Sequence, residues 1–316
     1  MRRRLLRVSI VASLLLAPMQ TRAQEPASGQ PTFKSGVDLV TIGATVRDSR
    51  GRLVTNLSAK DFEVLDGGLR RQISEFRAEA APVSVAILFD VSGSMRVGER
   101  NVAAKFAAHH VMSWLETGRD EAALFTFDSR LHEVAPFTVD TRALQGALGE
   151  VDPFGATSLH DAIAATAREI GERSGRRRAV VVLTDGIDTA SRMTPAEVSG
   201  LASAIDVPVY IIATVMALDN PELNDRAIVD VPREVGTIRD LAIWTGGALF
   251  YASTPAETSR VSRLVIDELR HQYLIAFEPG AGSGWRPLEI RIPKKDYVVR
   301  ARSGYMAGAA RPITGF

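Results

Sequence analysis

Five oxygen-bearing side chains stand out by type and spacing. Asp90-Val91-Ser92-Gly93-Ser94 sets a carboxylate and two hydroxyls on alternate residues, Gly155-Ala156-Thr157-Ser158-Leu159 adds a third hydroxyl, and Thr184-Asp185-Gly186 adds a second carboxylate. Asp90, Ser92, Ser94, Thr157 and Asp185 are hard donors, suited to Mg²⁺ first and to Mn²⁺ or Ca²⁺ as well, and poorly matched to zinc. Two carboxylates among neutral hydroxyls leave a divalent ion with residual positive charge, whereas a fully acidic cage would neutralise it. The chemistry expected is therefore an open metal site that captures a carboxylate presented by a protein partner. Taken alone, Asp90 to Ser94 can also be read as an ordinary strand-to-helix turn with Ser94 capping the next helix. Thr157 and Asp185 decide for the metal.

To act together, the three segments must reach one edge of the molecule. From Val83 onward, apolar runs alternate with amphipathic ones, which predicts an α/β fold with a doubly wound, mostly parallel sheet covered on both faces. Strands are expected at Val83 to Phe89, Ala122 to Phe127, Ala179 to Leu183, Val207 to Ile212 and Ala248 to Tyr251. Helices are expected at Asn101 to Leu115, Leu159 to Ile170, Pro195 to Ala204, Glu234 to Trp244, stopped by Gly246-Gly247, and Ala256 to Arg270. Asp90 and Asp185 then each follow the carboxyl end of a strand, where open parallel sheets place their ligands.

Outside this region the rhythm is that of strands and turns. Val37 to Val46 and Phe62 to Leu65 precede it, with turns at Asp48-Ser49-Arg50-Gly51 and Asp66-Gly67-Gly68; Tyr273 to Phe277, Leu288 to Ile292 and Tyr297 to Arg302 follow it. Sheets so small are marginal by themselves. Segments 33–81 and 272–308 are thus expected to pair into one small β domain, with the α/β domain 82–271 inserted between them.

Asp90, Ser92 and Ser94 match the D-x-S-x-S element of von Willebrand factor A and integrin I-type domains, and Thr157 and Asp185 match the later threonine and aspartate. The resemblance spans about Val83 to Arg270. It implies a Rossmann-like fold and a metal-ion-dependent adhesion site in which the serines, and in some states the threonine, ligate the ion while the aspartates often act through water. The flanks Asp38-Leu39-Val40, Asp61-Phe62-Glu63-Val64 with Asp66-Gly67, and Arg300-Ala301-Arg302-Ser303-Gly304-Tyr305 resemble a bacterial, chiefly acidobacterial, group of von Willebrand A-related proteins.

Catalytic readings find no anchor. Neither Ser92 nor Ser94 lies in G-x-S-x-G, and the position two residues after Asp90, where an aspartyl phosphatase needs a second acid, is Ser92. The chain has no G-x-x-x-x-G-K, no H-E-x-x-H and no G-x-G-x-x-G opening a helix. A binding protein, not an enzyme, is expected; the runner-up is a periplasmic regulatory or scaffold protein for an envelope complex. Of the five histidines only His160 is near the site, and it is read as loop packing; Asp161 and Asp188 are read as supporting acceptors or solvated charges. Trp114, Trp244, Phe125, Phe127 and Phe250 are expected in the core, and Trp285 at the surface. Arg176-Arg177-Arg178 is read as a solvated loop, and no nucleic-acid partner is expected.

Arg2, Arg3, Arg4 and Arg7 ahead of and at the start of the apolar stretch Leu5 to Leu16, with the small-residue end Thr21-Arg22-Ala23, predict a signal peptide over 1–23, followed by a linker over 24–32. The stretch is shorter than the roughly 20 residues that span a bilayer, and no membrane span is expected in the mature chain. Of 38 basic and 37 acidic residues, five arginines fall before residue 24, so the mature chain has an acidic excess of four. There is no cysteine, which excludes disulfides and thiolate chemistry and suits a periplasmic or secreted protein.

Overall fold

The computed structural model describes residues 39–149, 153–215, 236–293 and 296–308. The expected signal peptide and linker lie outside these residues, as do 33–38, 234 and 235. Residues Val40–Arg47 form β1, Glu63–Asp66 β2, Leu69–Arg71 β3 and Ile73–Arg77 β4. The α/β region then runs β5 (Val83–Asp90), α1 (Arg100–Ser113), β6 (Glu121–Phe127), β7 (Leu131–Thr138), α2 (Thr141–Ala147), α3 (Leu159–Gly171), β8 (Arg177–Thr184), α4 (Pro195–Ala204), β9 (Val209–Thr214), α5 (Ile238–Trp244), β10 (Ala248–Ala252) and α6 (Pro255–Arg270). Strands β11 (Tyr273–Phe277), β12 (Gly284–Arg291), β13 (Val298–Arg300) and β14 (Gly304–Ala307) follow.

Every residue of β5 is buried, as a strand covered on both faces requires. Its side chains divide by the two-residue period. Val83, Val85, Ile87 and Phe89 join a core with α1, α2 and α6, while Ala86 and Leu88 join a second core with α3, α4 and α5. The sheet order is β10-β9-β8-β5-β6-β7, parallel except for β7, which pairs antiparallel with β6. From β5 the chain moves to one side, to β6; from β8 it moves to the other, to β9. The winding therefore reverses between β5 and β8, and a crevice opens at their carboxyl ends.

The terminal strands form two four-stranded sheets, ordered β13-β1-β11-β4 and β14-β12-β2-β3. Each contains strands from both ends of the described chain: β1 pairs with β11 and β13, and β12 pairs with β2. They share one apolar core, with Ile42, Val46, Tyr273, Ile275 and Phe277 from the first sheet and Val64, Leu288, Ile290 and Tyr305 from the second. The Asp66-Gly67-Gly68 turn closes the β2–β3 hairpin with both glycines at positive φ, 59° and 81°, the two-residue loop that matches strand twist.

Buried acids fasten these strands to the α/β region and to each other. Glu268 of α6, fully buried, receives Arg47 of β1 at 2.7 Å and is paired with Arg300 of β13. Asp66, also fully buried, accepts from Arg286 (2.7 and 2.9 Å), Arg71 (3.1 Å), Tyr305 Oη (3.0 Å) and the Gly280 amide (2.9 Å). Burial pushes its carboxyl up, but these bonds and the Arg286 charge outweigh it and hold the group below its usual value.

Two assignments change. Trp114 is 37% exposed, with the Arg263 guanidinium 5.0 Å above its ring. Its place on the outward side near α6 makes it a cation-stacking residue and not a core one. The run Arg176 to Arg178 is not a solvated loop, because Arg177 and Arg178 open β8 and are partly buried. Trp285 is 46% exposed, as expected, and its ring lies over Gly304, where a Cβ would come within 2.3 Å of it.

Candidate metal centre

Asp90 is the last residue of β5, and Asp185 directly follows β8, so both stand at the crevice between those strands. Beyond Asp90 the chain folds into a 3-10 turn, Gly93–Arg96, with Ser92 at its N-cap position. The Ser92 amide donates to Asp90 Oδ1 at 2.9 Å, and the Ser92 and Ser94 hydroxyl oxygens stand 3.1 Å apart. Alternate spacing has thus put the carboxylate and both hydroxyls on one side of the turn.

Thr157 is brought in by backbone stitching. The Gly93 amide donates to the Gly155 carbonyl at 2.9 Å, and the Phe154 amide to the Val91 carbonyl at 2.8 Å. A Cβ on Gly93 would lie 3.1 Å from the Gly155 carbonyl oxygen, and Gly155 has φ 93°, so glycine permits this approach from both sides. The Asp185 loop is tied in the same way, by Thr189 and Ala190 amides to the Thr157 carbonyl (2.9 and 3.0 Å) and by the Thr157 amide to Thr189 Oγ1 (2.9 Å). Asp90, Ser92, Ser94, Thr157 and Asp185 therefore sit on three interlocked loops. Asp90 and Ser92 are fully buried, Thr157 and Asp185 nearly so, and Ser94 is half-buried.

The donor set fits a cation. Asp90 accepts only neutral donors, the Ser92 amide and Thr184 Oγ1 at 2.5 Å, while burial pushes its carboxyl up to about 6 against the lowering effect of those bonds, and Asp185 adds to the rise. A buried carboxylate in that position is stabilised by a positive ion more than by any hydrogen bond present. Among the described residues there is no group of three or more His, Cys, Asp or Glu that could hold a metal. Any ion must accept hydroxyl oxygens, which selects hard cations.

Two residues at the site carried no sequence signal. Thr184 orients Asp90, and its own oxygen accepts the Gly186 amide at 3.1 Å. Arg100, the first residue of α1, donates to Asp185 Oδ2 at 3.0 Å, with only 1% of the aspartate side chain exposed. The other Asp185 oxygen accepts the Ile187 amide at 3.2 Å. Only folding brings Arg100, 85 residues away in sequence, to that carboxylate. The supporting acids behave as packing groups: Asp161 accepts the Arg192 and Met193 amides, and His160 Nδ1 lies 3.2 Å from both Asp188 Oδ2 and the Met193 carbonyl.

Residues 85–187 match the sequence profile described as von Willebrand factor type A domain. The chain carries a von Willebrand A domain. The matched stretch contains all five site residues and the strands that position them. No curated protein sequence matches the chain. Among solved structures, the von Willebrand A domain is similar to the conserved hypothetical protein BatB from Bacteroides thetaiotaomicron, at 19% identity, TM-score 0.46, covering 59% of this chain and 98% of that one. A von Willebrand factor type A protein from Catenulispora acidiphila gives 16% identity and TM-score 0.49, covering 78% and 72%. Proximal thread matrix protein 1 of the mussel byssus, described with a zinc-occupied MIDAS motif, gives 17% identity and TM-score 0.46, covering 66% and 50%. Among the described residues no helix is long and apolar enough to cross a membrane.

Proposed function

We propose that this chain is an exported binding protein that holds a divalent cation, Mg²⁺ before Mn²⁺ or Ca²⁺, through Asp90, Ser92, Ser94, Thr157 and Asp185. The observation that carries the reading is the buried Asp90 carboxylate, which has neutral hydrogen-bond partners only and lies beside two hydroxyls 3.1 Å apart. A bound ion supplies positive charge that a partner's carboxylate oxygen can complete, the role two acids and three hydroxyls leave open. The chain's own residues do the rest. Thr184 and the Ser92 amide fix both Asp90 oxygens, Gly93 and Gly155 let the loops close, and Thr189 ties Thr157 to the Asp185 loop.

Binding is favoured over catalysis because the hydroxyls bonded to Asp90, those of Ser92 and Thr184, are fully buried and present no exposed nucleophile. Export rests on the arginine-led apolar stretch in residues 1–23. Titration calorimetry with Mn²⁺ tests the metal: saturable binding to the wild type and its loss in Asp90→Ala is the expected result, and equal affinity in the two would end the assignment. Capture of envelope proteins in Mn²⁺, abolished both by EDTA and by chemical blocking of carboxyl groups in the extract, tests the ligand class.

A further inference from the structure

A cavity of 1010 Å³ lies at the opposite end of the parallel sheet from the metal centre, between the amino ends of its strands and the terminal β sheets. Its floor includes Pro82 before β5, Arg177 and Arg178 at the start of β8, and Pro208 before β9; its roof includes Thr41, Gln272 and Gly308. The eight residues of β8 separate it from Asp185 by about 25 Å. Five arginines line it, Arg77, Arg176, Arg177, Arg178 and Arg302, against two carboxylates, Glu79 and Asp206.

Four of these five guanidinium groups, those of Arg176, Arg177, Arg178 and Arg302, donate to carbonyl oxygens, which orient them. Arg178 donates to the carbonyls of Gly171 (2.6 Å), Arg173 (3.0 Å) and Ile205 (3.2 Å). Arg302, 3% exposed, donates to the carbonyls of Thr41 (2.6 Å) and Ser203 and lies 3.4 Å from Asp206. Arg176 reaches Glu121 only at 3.8 Å, and Arg77 reaches Glu75 at 3.7 Å from the rim, 66% exposed.

Arg177 is the informative member. Its terminal nitrogen donates to the Gln272 carbonyl at 3.1 Å, its buried Nε–H has no partner, and no carboxylate lies within ion-pair distance among the described residues. Burial pulls its affinity for a proton down; the more distant charge of Asp206 opposes this, Arg77 adds to it, and Glu79 opposes it again. A guanidinium offers five donors in a rigid fork, and leaving buried ones unfilled beside further cations is unfavourable unless an anion completes them.

We propose that this cavity is a binding site for a small polyanion carrying two or more oxyanion groups, with Arg177 as its central contact and Arg77 at its mouth. Forked guanidinium groups match carboxylate and phosphate oxygens alike, so the chemistry common to both is what the site recognises. The site is independent of the metal reading, because it shares no residue with it.

The test is titration calorimetry of the chain stripped of divalent ions with EDTA and then dialysed free of that chelator, itself a polycarboxylate, at constant ionic strength, with inorganic pyrophosphate in one arm and citrate in the other. Saturable binding in either arm is expected, and which arm binds tells phosphate from carboxylate chemistry. Arg177→Gln should weaken it by about tenfold or more, the loss of a charge-assisted pair of bonds, and Arg177→Lys should restore part of it. Arg77→Gln, an exposed rim change that leaves the fold intact, should weaken it several-fold through lost charge. No saturable heat in either arm, or equal affinity in wild type, Arg177→Gln and Arg77→Gln, would overturn the proposal. Because the divalent ions have been removed beforehand, failure of the metal centre cannot produce either result.

Discussion

Replacing Asp90 with Asn should make the metal-free protein more stable at neutral pH, though the residue is the centre of the candidate site. Burial lifts the Asp90 carboxyl from 3.8 to about 6 in the folded chain. At 1.36 kcal/mol per unit, ionising it in the folded state costs about 3 kcal/mol more than in the unfolded chain. The sign follows from which state ionises first. Below pH 4 both states hold the proton and there is no penalty; between pH 4 and 6 the unfolded chain ionises first and stability falls; above pH 6 the full penalty applies. Asparagine keeps the shape, can still accept from the Ser92 amide and can donate to Thr184 Oγ1, and it has no such titration. Urea denaturation in EDTA should therefore show the variant gaining on wild type by about 3 kcal/mol between pH 4 and pH 7. Any fixed effect of the amide cancels in that comparison. A stability difference that stays constant across the range would refute the argument. Saturating Mn²⁺ should close the gap at pH 7, since a ligand at 100 times its Kd adds about 2.7 kcal/mol to the state that binds it.

Arg100→Gln should raise Mn²⁺ affinity several-fold by calorimetry, because it removes the cation now 3.0 Å from Asp185; unchanged or weaker affinity would show that the pair does not compete with the ion. Glu268→Gln should lower stability by about 3 kcal/mol in urea, since Arg47 and Arg300 would lose their buried counter-charge, and a loss under about 1 kcal/mol would contradict that role. Asp66→Asn should destabilise at neutral pH. Its folded carboxyl is held below the usual range, so the stabilisation is present above about pH 4 and lost as pH falls through the folded value; a deficit that persists unchanged at pH 2 would contradict it.

The parallel sheet and its helices were readable because both signals are strong. An uninterrupted apolar strand such as Val83 to Phe89 and a capped helix such as Pro195–Ala204, with Thr194 and Glu197 bonded reciprocally, declare themselves locally. Strand β7 was not among the expected strands of the sheet: it lies at the edge, half of its residues are exposed, and Pro136 interrupts it. The hairpin strands β3 and β4 were missed for a similar reason, being three and five residues long with little burial. At the site, residue types and strand ends pointed to the five oxygen donors. Arg100, Thr184 and the arginine-lined cavity depended on pairings across the fold, which no spacing in the chain encodes.

The interleaving of the terminal strands also determines where a pulling force would travel. Tension applied between Leu39 and Gly308 meets the hydrogen bonds of β1 with β13 and of β12 with β2 and β14 before it reaches any strand of the parallel sheet. The α/β region hangs from this double sheet as a closed loop, entered at Val83 and left at Arg270, and is bypassed by that load. A force between a ligand at Asp90 and either end of the chain instead enters the parallel sheet along β5 and leaves it at the junctions with β4 and α6, where the Glu268 pairs with Arg47 and Arg300 share the load. The molecule thus separates stretching of its own ends from traction on what it holds, and only the second is transmitted to the crevice where β5 and β8 diverge.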